Sequence, residues 1–287
     1  MKNDKNKSAQ IKLTISRIVV YAILIFLSVL CLFFFYLMIV NSSRSNGELS
    51  GGFTLLPSKY FFTNFINAWN DTSINIPVGM KNSFIVSMLS GLLTTYFSAL
   101  TAYGTYVYNF KLKKFVHLFI LAIMMIPSQV SAVGFIQLAF KYGLTNKLWV
   151  LIVPSIAAPA VYFYMYQYLE ATLPIDMVEA ARIDGSSEFN IFNQIVLPIM
   201  KPAIAVQLIF SFVGSWNNFF MPSLLLNKAE VKTVPVMIAT LRSADYSKFD
   251  MGKVYMLMLM AILPVLVIYI ILSKSIIKGV TSGSVKG

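Results

Sequence analysis

Between residues 174 and 198 the chain runs PIDMVEAARIDGSSEFNIFNQIVLP, which holds four of its eleven acidic residues, Asp176, Glu179, Asp184 and Glu188, with Glu170 just upstream. Carboxylates interspersed with an arginine can grip a partner's surface through charge-assisted hydrogen bonds. Catalysis would need companions that are missing from the sequence. The chain has one cysteine, Cys31, and one histidine, His117, so neither a cysteine pair nor a nucleophile–histidine set can be assembled. It contains no H-E-x-x-H and no G-x-x-x-x-G-K-[ST] loop to cradle nucleotide phosphates. No catalytic residue and no metal site are expected, and the acidic cluster reads as a docking surface.

A second polar constellation is Gly214-Ser215-Trp216-Asn217-Asn218, set in apolar sequence. Amides within a membrane segment need partners, which other helices, water or a hydroxyl-rich solute can supply. Indole faces and amides also suit sugar rings and hydroxyls. With Gln129, which follows Pro127 and Ser128, the residues Trp216, Asn217 and Asn218 are candidates for a substrate pathway, with helix-to-helix hydrogen bonding as the alternative role.

The elements that must position these residues are membrane helices. Hydrophobic residues make up 57% of the 287 and charged residues only 12%, and the mean hydropathy is +0.73, far from the roughly 25% charged composition of soluble domains. Apolar stretches of about 20 residues, enough to cross a bilayer, begin near Ile18, Asn82, Phe115, Leu148, Ala203 and Val254. The expected fold is therefore an all-α membrane protein of about six transmembrane helices. The first stretch is too long for a signal-peptide core and lacks a small-residue cleavage site at Asn41-Ser42-Ser43-Arg44, so it reads as a retained anchor. Pro127, Pro154, Pro159, Pro222 and Pro264 fall within or beside spans, where freed carbonyls call for a neighbouring helix or water, consistent with a cavity or hinge or with ordinary proline kinking in a bundle. Phe61, Phe62, Phe65, Ile66 and Trp69 share one helical face, consistent with a short interfacial helix or with an aromatic loop.

The short basic stretches at Lys2–Arg17 and Lys111–Lys114 place the N-terminus, the 174–198 segment and the C-terminus on the cytoplasmic side. A net charge of +12, spread over both sides of six spans, gives no reason to expect nucleic acid as a partner. Contact with membrane lipid explains the basic ends.

Within the polar segment, Asp176 and Glu179 have capping-box spacing, which predicts a helix starting near Asp176. Ala180 and Ala181 are strong helix formers whose small side chains let another surface approach closely. Glu179 and Arg182, three apart, are expected to pair. Gly185 should end the helix in a left-handed conformation, and a second helix should run from Ser186 or Ser187 to Leu197-Pro198. The result is a knob of two helical pieces projecting into the cytoplasm.

Glu179-Ala180-Ala181, then Gly185, then Ile195-Val196-Leu197-Pro198, placed between the fourth and fifth spans, resemble the EAA loop of permease subunits of bacterial ABC importers. Arg182-Ile183-Asp184-Gly185, Trp216-Asn217 with Phe219 and Pro222, Thr233-Val234-Pro235 and the closing residues 278–287 look like the carbohydrate, maltose-type branch of these binding-protein-dependent transport components. Ser282 and Ser284 stand where alanines are more usual in that branch. The likeness runs over nearly the whole chain.

It implies a permease that couples ATPase closure to alternating access for a sugar or oligosaccharide. A non-sugar solute, or an ATP-independent secondary carrier, is the alternative. It implies a cytoplasmic EAA coupling-helix loop in which Glu179, Ala180, Ala181, Arg182, Asp184 and Gly185 dock on an ATPase. No cofactor is expected in this chain; ATP and Mg would be bound by the partner ATPase. The implied partners are a second homologous permease forming a heterodimer, two ATPase subunits, an extracellular solute-binding protein and the sugar. The implied location is the bacterial cytoplasmic membrane, with both termini inside. The expected organisation is a cytoplasmic segment over 1–17, a first transmembrane helix over 18–40, and an extracellular loop over 41–79. A permease core follows over 80–277, including the 174–198 loop, with a cytoplasmic tail over 278–287.

Overall fold

A computed structural model of the chain describes residues 2–242 and 250–284; residues 285–287 of the expected tail lie outside the described residues. The described residues are helical with no strand. Among the described residues four helices are long and apolar enough to cross a membrane, namely Leu13–Ser42, Ile76–Val107, Trp149–Thr172 and Met251–Ile271. Two further pairs qualify together but are bent, Lys113–Met124 with Ser128–Lys141 by 93° and Glu188–Ile199 with Lys201–Trp216 by 81°. Six crossings thus require each bent pair to count as one, and the expected third span is not straight. Pro127, which has no N–H to continue a ladder, sits at the first of these breaks.

Two compact units share the chain. The first contains α1 (Lys2–Ser42), α2 (Asn46–Ser50), α3 (Phe61–Trp69) and the opening turns of the last helix through Met260. From Leu13 to Phe35 every residue of α1 is exposed, as befits a helix that is apolar on all sides and meets lipid. Its end is bound into a polar turn. Asn64 of α3 donates through Nδ2 to the carbonyls of Ser42 at 2.9 Å and Arg44 at 2.8 Å. The aromatic stretch is therefore a helix, as one of the two sequence readings had it. Its polar Asn64 and small Ala68 face inward while Phe62, Phe65, Ile66 and Trp69 stay exposed. Lys253 pairs with Asp71 in the same unit.

The second unit begins at Thr72 and is organised around α4 (Ile76–Val107). One face of α4 carries Ser83, Ser87, Ser90, Gly91, Thr94 and Ser98, all buried. Side chains this small let backbones approach closely, the packing that substitutes for hydrophobic driving force between helices in lipid. Along the chain follow α5 (Lys113–Met124), α6 (Ser128–Lys141), α7 (Trp149–Ile152) with a 3₁₀ turn over Val153–Ile156, and α8 (Pro159–Thr172). The polar segment holds α9 (Ile175–Ile183), α10 (Glu188–Asn190), a π-helical stretch Ile191–Val196 and α11 (Leu197–Ile199). Then come α12 (Lys201–Trp216), α13 (Phe220–Leu225), α14 (Val234–Arg242) and α15 (Met251–Ser284), which this unit shares from Ala261 onward. α4 packs against α12 and α8. A Cβ added at Gly91 would lie 3.1 Å from Leu208 Cδ1 and 3.6 Å from the Phe212 nitrogen, so the two helices approach closely at this glycine. Thr94 donates to the Ser155 carbonyl at 2.8 Å and ties α4 to the 3₁₀ turn.

Candidate functional site

The 174–198 segment folds as two helical pieces about a glycine. α9 starts at Ile175, one residue before the expected start, with Pro174 at the cap and no side-chain hydrogen bond there. The capping box anticipated from Asp176 and Glu179 is therefore not formed; Asp176 lies inside the first turn, where its charge still favours the helix dipole. Gly185 has φ +80°. The Ser186 N–H donates to the Ala181 carbonyl at 3.0 Å and the Gly185 N–H to the Arg182 carbonyl at 3.0 Å, the two bonds of a Schellman ending. Ser187 then caps the second piece, its hydroxyl accepting from the Asn190 N–H at 3.3 Å. That piece runs on to Ile199, past the expected Pro198, because proline is tolerated in the first turn of α11.

Arg182 does not pair with Glu179. Its Nε donates to Glu188 Oε1 at 2.6 Å, across the Gly185 turn, and its guanidinium lies 5.2 Å from the centroid of the Tyr108 ring. The second Glu188 oxygen accepts from the Tyr103 hydroxyl of α4 at 2.8 Å. One carboxylate thus joins both pieces of the knob to the end of α4. The Arg182 guanidinium, foremost, and then hydroxyls of Tyr108 and Tyr103 hold the Glu188 carboxyl down at about 2 against the opposing effect of burial. Burial, followed by the nearby Glu188 charge, raises the Tyr108 phenol above its ordinary value. Beneath this cluster Val178, Ala181, Ile191 and Phe192 enter one core with Tyr103, Met165 and Met200.

The expected docking residues therefore divide. Glu179, Ala180, Asp184 and Gly185 are exposed, Arg182 is engaged with Glu188, and Ala181, 8% exposed, faces the chain's own core. Val178 and Ala181, three apart, carry the periodicity that marks this inner face. On the outer surface stand Ile183, 87% exposed, and Phe189, 68% exposed, with Met177 near them in sequence; none of these three was among the expected docking residues.

The Trp216 region ends a helix instead of running through one, since α12 stops at Trp216 and Asn217 is its C-cap. The Trp216 indole is buried and donates to the Ala261 carbonyl at 3.1 Å. Asn217 is exposed, as is Gln129, whose side-chain oxygen accepts from Ser128 at 3.3 Å. Asn218 alone of the four borders a cavity of about 320 Å³, together with Ser83, Ser128, Ser131, Ser215 and Thr233. Val86, Phe135, Pro154, Met221 and Pro222 supply apolar wall, so two of the prolines anticipated near a cavity do line one. His117 points elsewhere: its Nδ1 lies 2.9 Å from the Tyr162 hydroxyl.

Residues 91–276 match the family described as binding-protein-dependent transport system inner membrane component. The arabinooligosaccharides transport system permease protein AraQ of Bacillus subtilis is 32% identical over 280 residues, covering 96% of this chain and 97% of that one. The melibiose/raffinose/stachyose import permease protein MelC of the same organism is 33% identical, covering 88% and 91%. The trehalose/maltose transport system permease protein MalG of Thermococcus litoralis is 30% identical, covering 92% and 94%. The fold is shared with a chain in the crystal structure of a bacterial ABC transporter involved in the import of the acidic polysaccharide alginate, with a TM-score of 0.78, 19% identity and coverage of 91% of this chain and 96% of that one. With membrane-length helices, a glycine-hinged polar knob stapled to α4 and this extent of sequence match, the chain belongs to the inner-membrane permease components of binding-protein-dependent ABC transport systems.

Proposed function

We propose that this permease imports a neutral sugar or oligosaccharide, driven by ATP hydrolysed on a separate pair of ATPase subunits that bind its 174–198 knob. The relatives named for arabinooligosaccharides, for melibiose, raffinose and stachyose, and for trehalose and maltose support the sugar class. The observation that carries the coupling role is the Glu188 junction, which ties both helical pieces to α4. A push on an unattached loop would dissipate; a push on this knob reaches a membrane helix. ATPase closure then moves the knob and α4 together, and the assembly exchanges outward and inward access as two states of one bistable element. Ligand and nucleotide need only prefer different states.

Exposed Met177, Ala180, Ile183, Asp184 and Phe189 form the contact surface in this reading, and Glu179 lies beside them. A second homologous permease completes the pathway, an extracellular binding protein delivers the sugar, and ATP and Mg stay on the ATPases. The knob and both termini face the cytoplasm. The test is uptake of labelled sugars by the co-purified assembly in liposomes. Uptake that requires both ATP and the binding protein supports the reading; equal flux from this chain alone without ATP contradicts it.

A further inference from the structure

The cavity beside α4 has features that helix packing does not explain. It is about 320 Å³, within the range of small-molecule sites. Hydroxyls of Ser83, Ser128, Ser131, Ser215 and Thr233 and the amide of Asn218 border it, and none of its lining residues is charged. Thr233 is 4% exposed and its hydroxyl is buried with no hydrogen-bond partner. A buried hydroxyl left unpaired costs free energy, and a partner arriving with the ligand would recover it. Other polar groups here are already used structurally: the Ser83 hydroxyl accepts from the Val234 N–H at 2.9 Å, which fixes the strand of chain bearing Thr233 beside α4. Pro154 and Pro222 stiffen the wall, and Phe135 gives it an aromatic surface.

We propose that this cavity is a subsite for one ring of a neutral saccharide, with Thr233, Ser215 and Asn218 as its hydrogen-bonding groups and Phe135 as its apolar wall. The inference rests on the sugar-importer reading and adds a binding site to it. Hydroxyl and amide groups meet the many hydroxyls of such a ring, while a uronate would enter an uncharged cavity without a cation to balance it.

The test uses the assembled importer carrying Cys31→Ser, which removes the only native thiol, and Ser131→Cys, which puts a thiol on the cavity wall. Labelled neutral pentose and hexose oligomers first identify a saccharide that the assembly takes up in an ATP-dependent way. That saccharide should slow maleimide alkylation of the introduced thiol, and an equal concentration of a uronate oligomer should not. Adding Thr233→Val, which keeps the shape and removes the hydroxyl, should raise the concentration needed for protection about threefold to tenfold, as expected for one lost hydrogen bond. Ala132→Phe, which fills the cavity, should abolish protection and cut uptake, while the ATPase subunits remain bound. Alkylation that ignores a saccharide the assembly does import would overturn the subsite and leave the importer reading standing. Failure to import any neutral saccharide would overturn both.

Discussion

Replacing Glu188 by alanine removes the group on which the knob's attachment converges. With 34% and 42% of the two side chains open to solvent, the Arg182–Glu188 pair is screened and contributes about 0.5 kcal/mol. Tyr103 differs, being only 3% exposed, so its hydroxyl would lose its acceptor in a buried setting at a cost of about 1–2 kcal/mol. The sum of about 2 kcal/mol corresponds to roughly thirtyfold in the opening equilibrium of the knob. Hydrogen exchange of the assembled complex, followed by mass spectrometry over 175–190, reads that equilibrium directly. Glu188→Ala should exchange about thirtyfold faster there, and Arg182→Ala only about twofold to fivefold faster, since Tyr103 keeps its acceptor. Adding Tyr103→Phe to Glu188→Ala should recover part of that loss, because it removes the buried hydroxyl left without an acceptor. Wild-type exchange in Glu188→Ala, or full additivity of the two substitutions, would refute the proposed junction.

Gly185→Val should loosen the same segment by about 1–2 kcal/mol and reduce ATP-coupled uptake, since the residue sits at φ +80° with no neighbour within 4 Å of an added Cβ, so that strain acts through the backbone alone; Gly185→Asn should be milder, and exchange rates with uptake assays check both. The Glu188 carboxyl, lowered from 4.5 to about 2, should stabilise the knob fully above about pH 4.5 and lose that contribution as pH falls toward 2, so exchange corrected for intrinsic rate should show no pH dependence from Glu188 across neutral pH. Gly252→Ala should lower the melting temperature of the purified complex, because its Cβ would collide with the Arg44 carbonyl and meet Asn64 Nδ2 at 2.7 Å. Trp216→Phe should cost about 1 kcal/mol in a thermal melt through loss of the bond to the Ala261 carbonyl, with sugar specificity unchanged.

The local signals in the sequence were those that depend on residues close in the chain. Gly185 in the left-handed region, the serine cap at Ser187 and the helix over Phe61–Trp69 all follow from near-neighbour chemistry. Arg182 finding Glu188 instead of Glu179 does not, because the Gly185 turn brings residue 188 back and α4 supplies Tyr103 as a further partner. The inward position of Ala181 was hidden by its composition: alanine is as suited to a close partner contact as to a packed core. α4 was visible as an apolar span, whereas its serine and threonine face acquired meaning only when α8 and α12 packed against it. The amide pair at 217–218 looked like part of a membrane helix because hydropathy does not register where a helix stops. Asn218 reaches the cavity for that reason, and Thr233 joins it from more than a dozen residues further along the chain.

The central claim is that the outer surface of the 174–198 knob meets an ATPase subunit while its inner surface belongs to this chain. Crosslinking from single thiols in the assembled complex tests it most directly, with Cys31→Ser as background. Ala180→Cys and Ile183→Cys, both on exposed positions, should form ATPase adducts with short bifunctional reagents, and the adduct yield should change when nucleotide is trapped. Ala181→Cys, on the buried side of the same turn, should react poorly. Adducts from Ala181→Cys that match those from its exposed neighbours, or none from any of the three in an active complex, would contradict the account.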